Sequence, residues 1–132
     1  MNAPTRFTAS APTEATVILT RPISVNNIYQ NKRNGKGRVK SDSYKTWQRH
    51  AKNVMMAGGP RPAFPGPVSI RLFIPEQGVA DSMDTDNTSK AYLDLLVHMG
   101  VITDDSRKIV RSLHLEWIDS AEGFAIITAR EA

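Results

Sequence analysis

Apolar residues recur with two different periods along this chain, and the switches between those periods mark its elements. Glu14 to Thr20 (EATVILT) is a β-branched run that stops at Arg21-Pro22, which predicts a first strand. Tyr44, Trp47, Ala51 and Val54 fall at helical spacing behind Ser41 or Asp42, either of which can cap, so a helix is predicted to about Met56. Gly58-Gly59-Pro60, with Pro62, Pro65 and Pro67, ends that helix in a stiff linker. Val68 to Ile74 alternates as a strand and stops at Pro75. Tyr92, Leu95, Leu96 and Met99 form an i, i+3, i+4, i+7 stripe, predicting a helix over Asn87 to Met99 with Gly100 as its stop. Ile109 to Ile118 reads as a strand with Ile109, Leu113, Leu115 and Trp117 on one side. Ser120 to Gly123 then turns the chain into a last strand, Phe124 to Ala129. The order β-α-β-α-β-β predicts an α/β (α+β) fold, a mixed sheet carrying two main helices.

A length of 132 residues suits one domain with a single core of two or three layers. The first thirteen residues (MNAPTRFTASAPT) lack the apolar core of a signal peptide and read as a flexible tail, 1–13, ahead of a domain over 14–132. The longest apolar runs are too short to span a bilayer, so a soluble, cytoplasmic protein without a membrane partner is expected. Cysteine is absent, which excludes disulfides, thiolate-bound zinc and thiol nucleophiles. His50, His98 and His114 are far apart and form no metal-binding spacing. Any metal would be a hard cation held by oxygen, Mg²⁺ or Mn²⁺ before zinc.

The net charge of +4 conceals a sharp division. Lys32 to Lys52 holds eight bases against one acid, Asp42, whereas Glu76 to Asp105 holds seven acids against Lys90 alone. Such a polarity suits a polyanion bound by the basic part and acted on at the acidic part. Within the basic part, KRNGKGRVK (Lys32, Arg33, Lys36, Arg38 and Lys40 with two glycines) reads as a loop or hairpin tip, and Lys45, Arg49 and Lys52 lie off the apolar stripe of the first helix.

The acidic stretch carries the candidate chemistry. In an extended D-x-D the two side chains project to the same side, so Asp84 and Asp86 can converge on one cation. Asn87 stands where it can cap the second helix. Lys90 and Asp94 lie one turn apart on the helix face away from the apolar stripe, and the chain after Gly100 supplies Asp104 and Asp105. That end approaches the first aspartates only if the following strand runs back beside the strand before the motif. Two or three carboxylates hold Mg²⁺ while leaving positions for water and phosphate oxygens, and Lys90 can steer a phosphate or protonate a leaving oxygen. An EF-hand does not fit, because counting from Asp84 its sixth position is Ser89 and its twelfth Leu95. Taken singly, the D-x-D also reads as a cap or solvated turn, and Lys90–Asp94 as a surface pair.

Together these pieces resemble the RusA-type Holliday junction resolvases, crossover junction endodeoxyribonucleases. The likeness begins at Pro22-x-Ser24-x-Asn26-Asn27-x-Tyr29 and continues through the basic loop and the helix near Trp47. It is strongest at Asp84-x-Asp86-Asn87-x-x-Lys90-x-x-x-Asp94 with Gly100 and Asp104-Asp105, and covers about Thr16 to Ala129. The resemblance implies metal-binding carboxylates at Asp84, Asp86 and Asp105, an active-site lysine at Lys90, and a homodimer with one Mg²⁺ site near each of two opposed strands of a four-way DNA junction. Asn26, Asn27, Tyr29 and the bases Lys32, Arg33, Lys36, Arg38 and Lys40 become expected DNA contacts. Members of that family can carry several arginines directly before the D-x-D, whereas this chain has no base between Arg71 and Lys90. Its implied junction affinity therefore shifts toward Lys32 to Lys52. The implied activity is paired, symmetric phosphodiester hydrolysis in recombination and repair. Two other readings stay open: a looser nuclease of flaps and other branched DNA, and a catalytically silent basic DNA-binding module.

Overall fold

The computed structural model describes residues 12–23, 29–31, 38–40, 42–85 and 88–131. Its elements are strands β1 (Glu14–Leu19), β2 (Tyr29–Asn31) and β3 (Arg38–Lys40), helix α1 (Asp42–Ala57), strand β4 (Val68–Pro75), helix α2 (Ser89–His98), and strands β5 (Val110–Ile118) and β6 (Gly123–Ala129). Four strands form one mixed sheet in the order β1-β6-β4-β5. The β1/β6 and β6/β4 pairs are antiparallel and β4/β5 is parallel. The chain is thus a single small α+β domain with two helices, as its periodicities predict, plus a short β2–β3 ladder that flanks the glycine-containing basic stretch.

Strands β1, β4 and β6 turn their buried apolar residues to the face that the helices cover. On β4, Val68, Ile70, Leu72 and Ile74 are buried, and their neighbours across the ladders, Ala125 and Ile127 of β6, are buried with them. Val17 and Leu19 of β1 extend the layer. Ala51 and Met55 of α1 close over it, as do Tyr92, Leu95 and Leu96 of α2. Full burial of such aliphatic and aromatic side chains contributes about 1.5–3 kcal/mol each, so this layer is the main source of stability. Among the described residues the opposite sheet face carries no helix. It presents Phe73 stacked on Phe124 at 4.7 Å, with the Arg71 guanidinium 5.7 Å from the Phe73 ring.

The structure shifts three details of the sequence reading. The α1 stripe runs Tyr44, Ala51, Met55, because the helical period carries the buried line to Met55 and leaves Val54 at its flank. Trp47 is half-buried, stacked on Tyr44 at 5.9 Å and edge-on to Tyr92 at 5.7 Å, and its Nε1–H donates to the Arg21 carbonyl at 2.6 Å. Ile109 precedes β5, in a turn where its amide donates to the Ser106 carbonyl, and Leu113 is 40% exposed because β5 is an edge strand of the sheet. Helix α2 starts at Ser89, two residues later than expected, with Thr88 at its cap position; the Thr88 hydroxyl donates back to the Thr85 carbonyl at 2.8 Å instead of capping. Its far end behaves as predicted. Gly100 adopts φ 75°, its amide donates to Val97, and Val101 donates to Leu96, a Schellman closure that needs a residue at ease in left-handed backbone.

Leu95→Ala, at a fully buried position of α2, is expected to cost about 2–5 kcal/mol, whereas Leu113→Ala at the sheet edge should cost less than about 1 kcal/mol. Urea denaturation of both variants checks this, and equal losses would contradict the assignment of the buried layer to the helix-bearing face.

Candidate functional site

The site candidates hang on the two connections around α2. The first, from Glu76 onward, is tied to the β5–β6 turn by backbone bonds from Glu76 to Ile118 and from Gln77 to Ser120, and by the Gln77 amide donating to Asp119 at 3.1 Å. A second turn, closed by the Met83 amide on the Ala80 carbonyl, delivers an exposed Asp84. Thr85, in the middle of the D-x-D, accepts a hydrogen bond from Trp117 Nε1 at 3.0 Å. One end of the acidic motif is therefore anchored to the C-terminal part of β5. Asp86 and Asn87 lie outside the described residues.

Lys90 and Asp94 share the outward face of α2, with Nζ and Oδ2 4.0 Å apart and side chains 45% and 22% exposed. A solvated i, i+4 pair of this kind contributes about 0–1 kcal/mol, so its main effect is to orient two charged groups. Tyr92, on the buried face, donates its hydroxyl to the Thr20 carbonyl at 2.7 Å, and burial pushes its phenol far above the ordinary range. It stays neutral and ties α2 to the end of β1.

The second connection, after Gly100, carries Asp104 and Asp105. Asp104 is a turn former: its carboxylate accepts from the Ser106 hydroxyl and from the Asp105 amide (2.8 Å), and these bonds hold its carboxyl below the usual aspartate range. Asp105 lines a shallow pocket of about 260 Å³ with Asp94, His98 and Gln48. Because β5 lies beside β4 in the same direction, Asp84 and Asp105 leave from opposite ends of α2, a helix about 15 Å long. The structure thus gathers Asp105 with Asp94 and His98, and leaves Asp84 next in sequence to the Thr85 that Trp117 holds. Among the described residues no three His, Cys, Asp or Glu side chains are grouped so as to hold a metal ion. The donors are nevertheless carboxylates, which suit a hard divalent cation.

Of the expected nucleic-acid contacts, Asn26, Asn27, Lys32, Arg33 and Lys36 lie outside the described residues. Tyr29, Arg38 and Lys40 belong to the β2–β3 ladder, where Tyr29 pairs with Lys40 and Asn31 with Arg38. Two features were invisible in the sequence. His98 sits beside Asp105, although the two are separated by the Gly100 turn. A cleft of about 860 Å³ opens beside the Glu76–Met83 connection, walled by Arg21, Trp47, His50 and Met83. Its walls come from separate segments, so no local motif announces it. No helix among the described residues is long and apolar enough to cross a membrane.

Residues 20–127 match the model of a protein family described as Endodeoxyribonuclease RusA. No curated protein matches the chain.

Replacing Trp117 with Phe keeps the ring and removes the N–H that holds Thr85. Stability should fall by only about 1 kcal/mol, while amide hydrogen exchange at Thr88, which donates to the Thr85 carbonyl, should accelerate. Unchanged exchange at Thr88 would show that Trp117 does not set the loop.

Proposed function

This chain belongs to the RusA family of endodeoxyribonucleases, enzymes that resolve Holliday junctions, and on that premise we propose that it cuts four-way DNA junctions by paired, symmetric hydrolysis dependent on Mg²⁺, with Mn²⁺ able to substitute. The observation that carries the reading is the family match over residues 20–127, which takes in every proposed site residue. Asp84, Asp86 and Asp105 are the proposed ligands of the cation. When bound, such a cation lowers the pKa of water and offsets charge on the transferring phosphoryl group. Lys90, exposed in the first turn of α2, reaches outward to a non-bridging phosphate oxygen or the leaving oxygen, where an ammonium stabilises developing negative charge. Asn26, Asn27, Tyr29, Lys32, Arg33, Lys36, Arg38 and Lys40 would hold the DNA arms. The domain over 14–132, preceded by the tail 1–13, would act on DNA in the cytoplasm.

A homodimer is part of this proposal. Resolution needs one cut in each of two like strands, and a two-fold assembly matches a two-fold junction. A protein that sediments as a monomer with and without junction DNA would contradict the assembly.

Asp84→Asn, Asp86→Asn and Asp105→Asn should each abolish junction cleavage while leaving junction binding intact or tighter, since phosphate repulsion falls. Lys90→Ala should lower the single-turnover rate by 10-fold or more, about 1.4 kcal/mol or more in barrier, with folding and binding little changed. Gel-shift and single-turnover cleavage on one synthetic junction check both. Full activity in Asp86→Asn would overturn the site, and a Lys90 variant that binds poorly but cuts normally at saturation would reassign Lys90 to DNA affinity.

A further inference from the structure

The pocket that holds Asp105 does not end at α2. Gln48 and His98, two of its walls, also wall a second depression of about 330 Å³ whose remaining lining is Lys45, Arg49 and Lys52 of α1. The carboxylate end of the site and the basic face of α1 are therefore one continuous groove along the α1–α2 contact. Gln48 is held in that groove by its amide donating to the Tyr44 hydroxyl at 3.3 Å.

Lys45, Arg49 and Lys52 are all exposed, and none makes an ion pair among the described residues. The sole acid of α1, Asp42, stands in its first turn. Three unneutralised cations on one helix face repel one another, a cost that an anion removes. Their i, i+4, i+7 spacing spans about 10 Å of helix axis, and a duplex strand presents a phosphate about every 3.4 Å of axis, so the row covers about three phosphate steps of one strand.

We propose that Lys45, Arg49 and Lys52 form a phosphate track that seats the backbone of the junction arm next to the Asp105 end of the site, with Gln48 and His98 as the passage between them. This rests on the junction-cleaving reading above and adds to it which surface carries the flanking arm. The track lies on α1, just past the β2–β3 ladder in the chain, and uses rigid helix, so it fixes the position of the arm as well as contributing affinity.

The test is a Lys45→Gln/Arg49→Gln/Lys52→Gln variant, since glutamine keeps helix propensity at exposed positions. Binding to a four-way junction is measured against salt, in EDTA so that no strand is cut. Removing three phosphate contacts should flatten the slope of log K against log salt by about 2.7, while Arg71→Gln, on the sheet face away from the helices, leaves it unchanged. The absence of cysteine allows a second readout: an iron chelate tethered through Lys52→Cys should cut the arm flanking the incision point, and one tethered through Arg71→Cys, on the opposite sheet face, should not. An unchanged slope, or tethered cuts elsewhere on the junction, overturns the track while leaving the function standing. Failure of the unaltered chain to bind junctions overturns the function on which the track depends.

Discussion

Strand β4 is the constraint on which the remaining architecture depends. It lies between an antiparallel neighbour, β6, and a parallel one, β5, with Val68, Ile70, Leu72 and Ile74 buried beneath both helices. A parallel neighbour cannot be reached by a tight turn, so the chain must cross back over the sheet, and α2 is that crossing. Both ends of the crossing then project beyond the sheet, one after Pro75 and the other before Val110. These are the two places where the acidic residues occur. The position of the candidate chemistry follows from strand pairing and burial, before any charge is considered.

Charge exploits what that crossing leaves free. The buried face of α2 (Ala91, Tyr92, Leu95, Leu96) is spent on the core, so Lys90, Asp94 and His98 must face outward. Exposure keeps the carboxylates solvated while no counterion is bound, which limits the cost of collecting so many of them. The connections that carry them are not slack. Trp117 restrains Thr85 beside Asp84, and the Asp104 turn restrains Asp105. Across the groove, α1 offers the opposite charge on a rigid support.

Much of this was legible in the chain. β-branched alternation located β1, β4 and β6 to within a residue or two, and the i, i+3, i+4, i+7 stripe with Gly100 located α2, because local period and glycine conformation decide those elements. The acidic spacing from Asp84 to Asp105, with Lys90 within it, pointed to the family that residues 20–127 match. What stayed hidden depends on non-local packing. Nothing in β5 itself says that it lies at a sheet edge, which is why Leu113 reads as core and is 40% exposed. The Trp117–Thr85 bond joins residues 32 positions apart, and the contiguity of His98, Gln48 and Asp105 exists only once α1 meets α2. The cap of α2 was misplaced because Thr88 spends its hydroxyl on Thr85.

The central claim is a metal-dependent activity selective for four-way junctions. The most direct measurement incubates the protein with a synthetic four-way junction, a flap and a linear duplex of matched sequence, each with Mg²⁺ and with EDTA, and maps the cut strands. The account predicts symmetric cuts in two opposed strands of the junction with Mg²⁺, little cutting of the flap or duplex, and none in EDTA. Equal cutting of flap and junction would make it a looser branched-DNA nuclease, and junction binding without cutting in any divalent metal would make it a silent DNA-binding module.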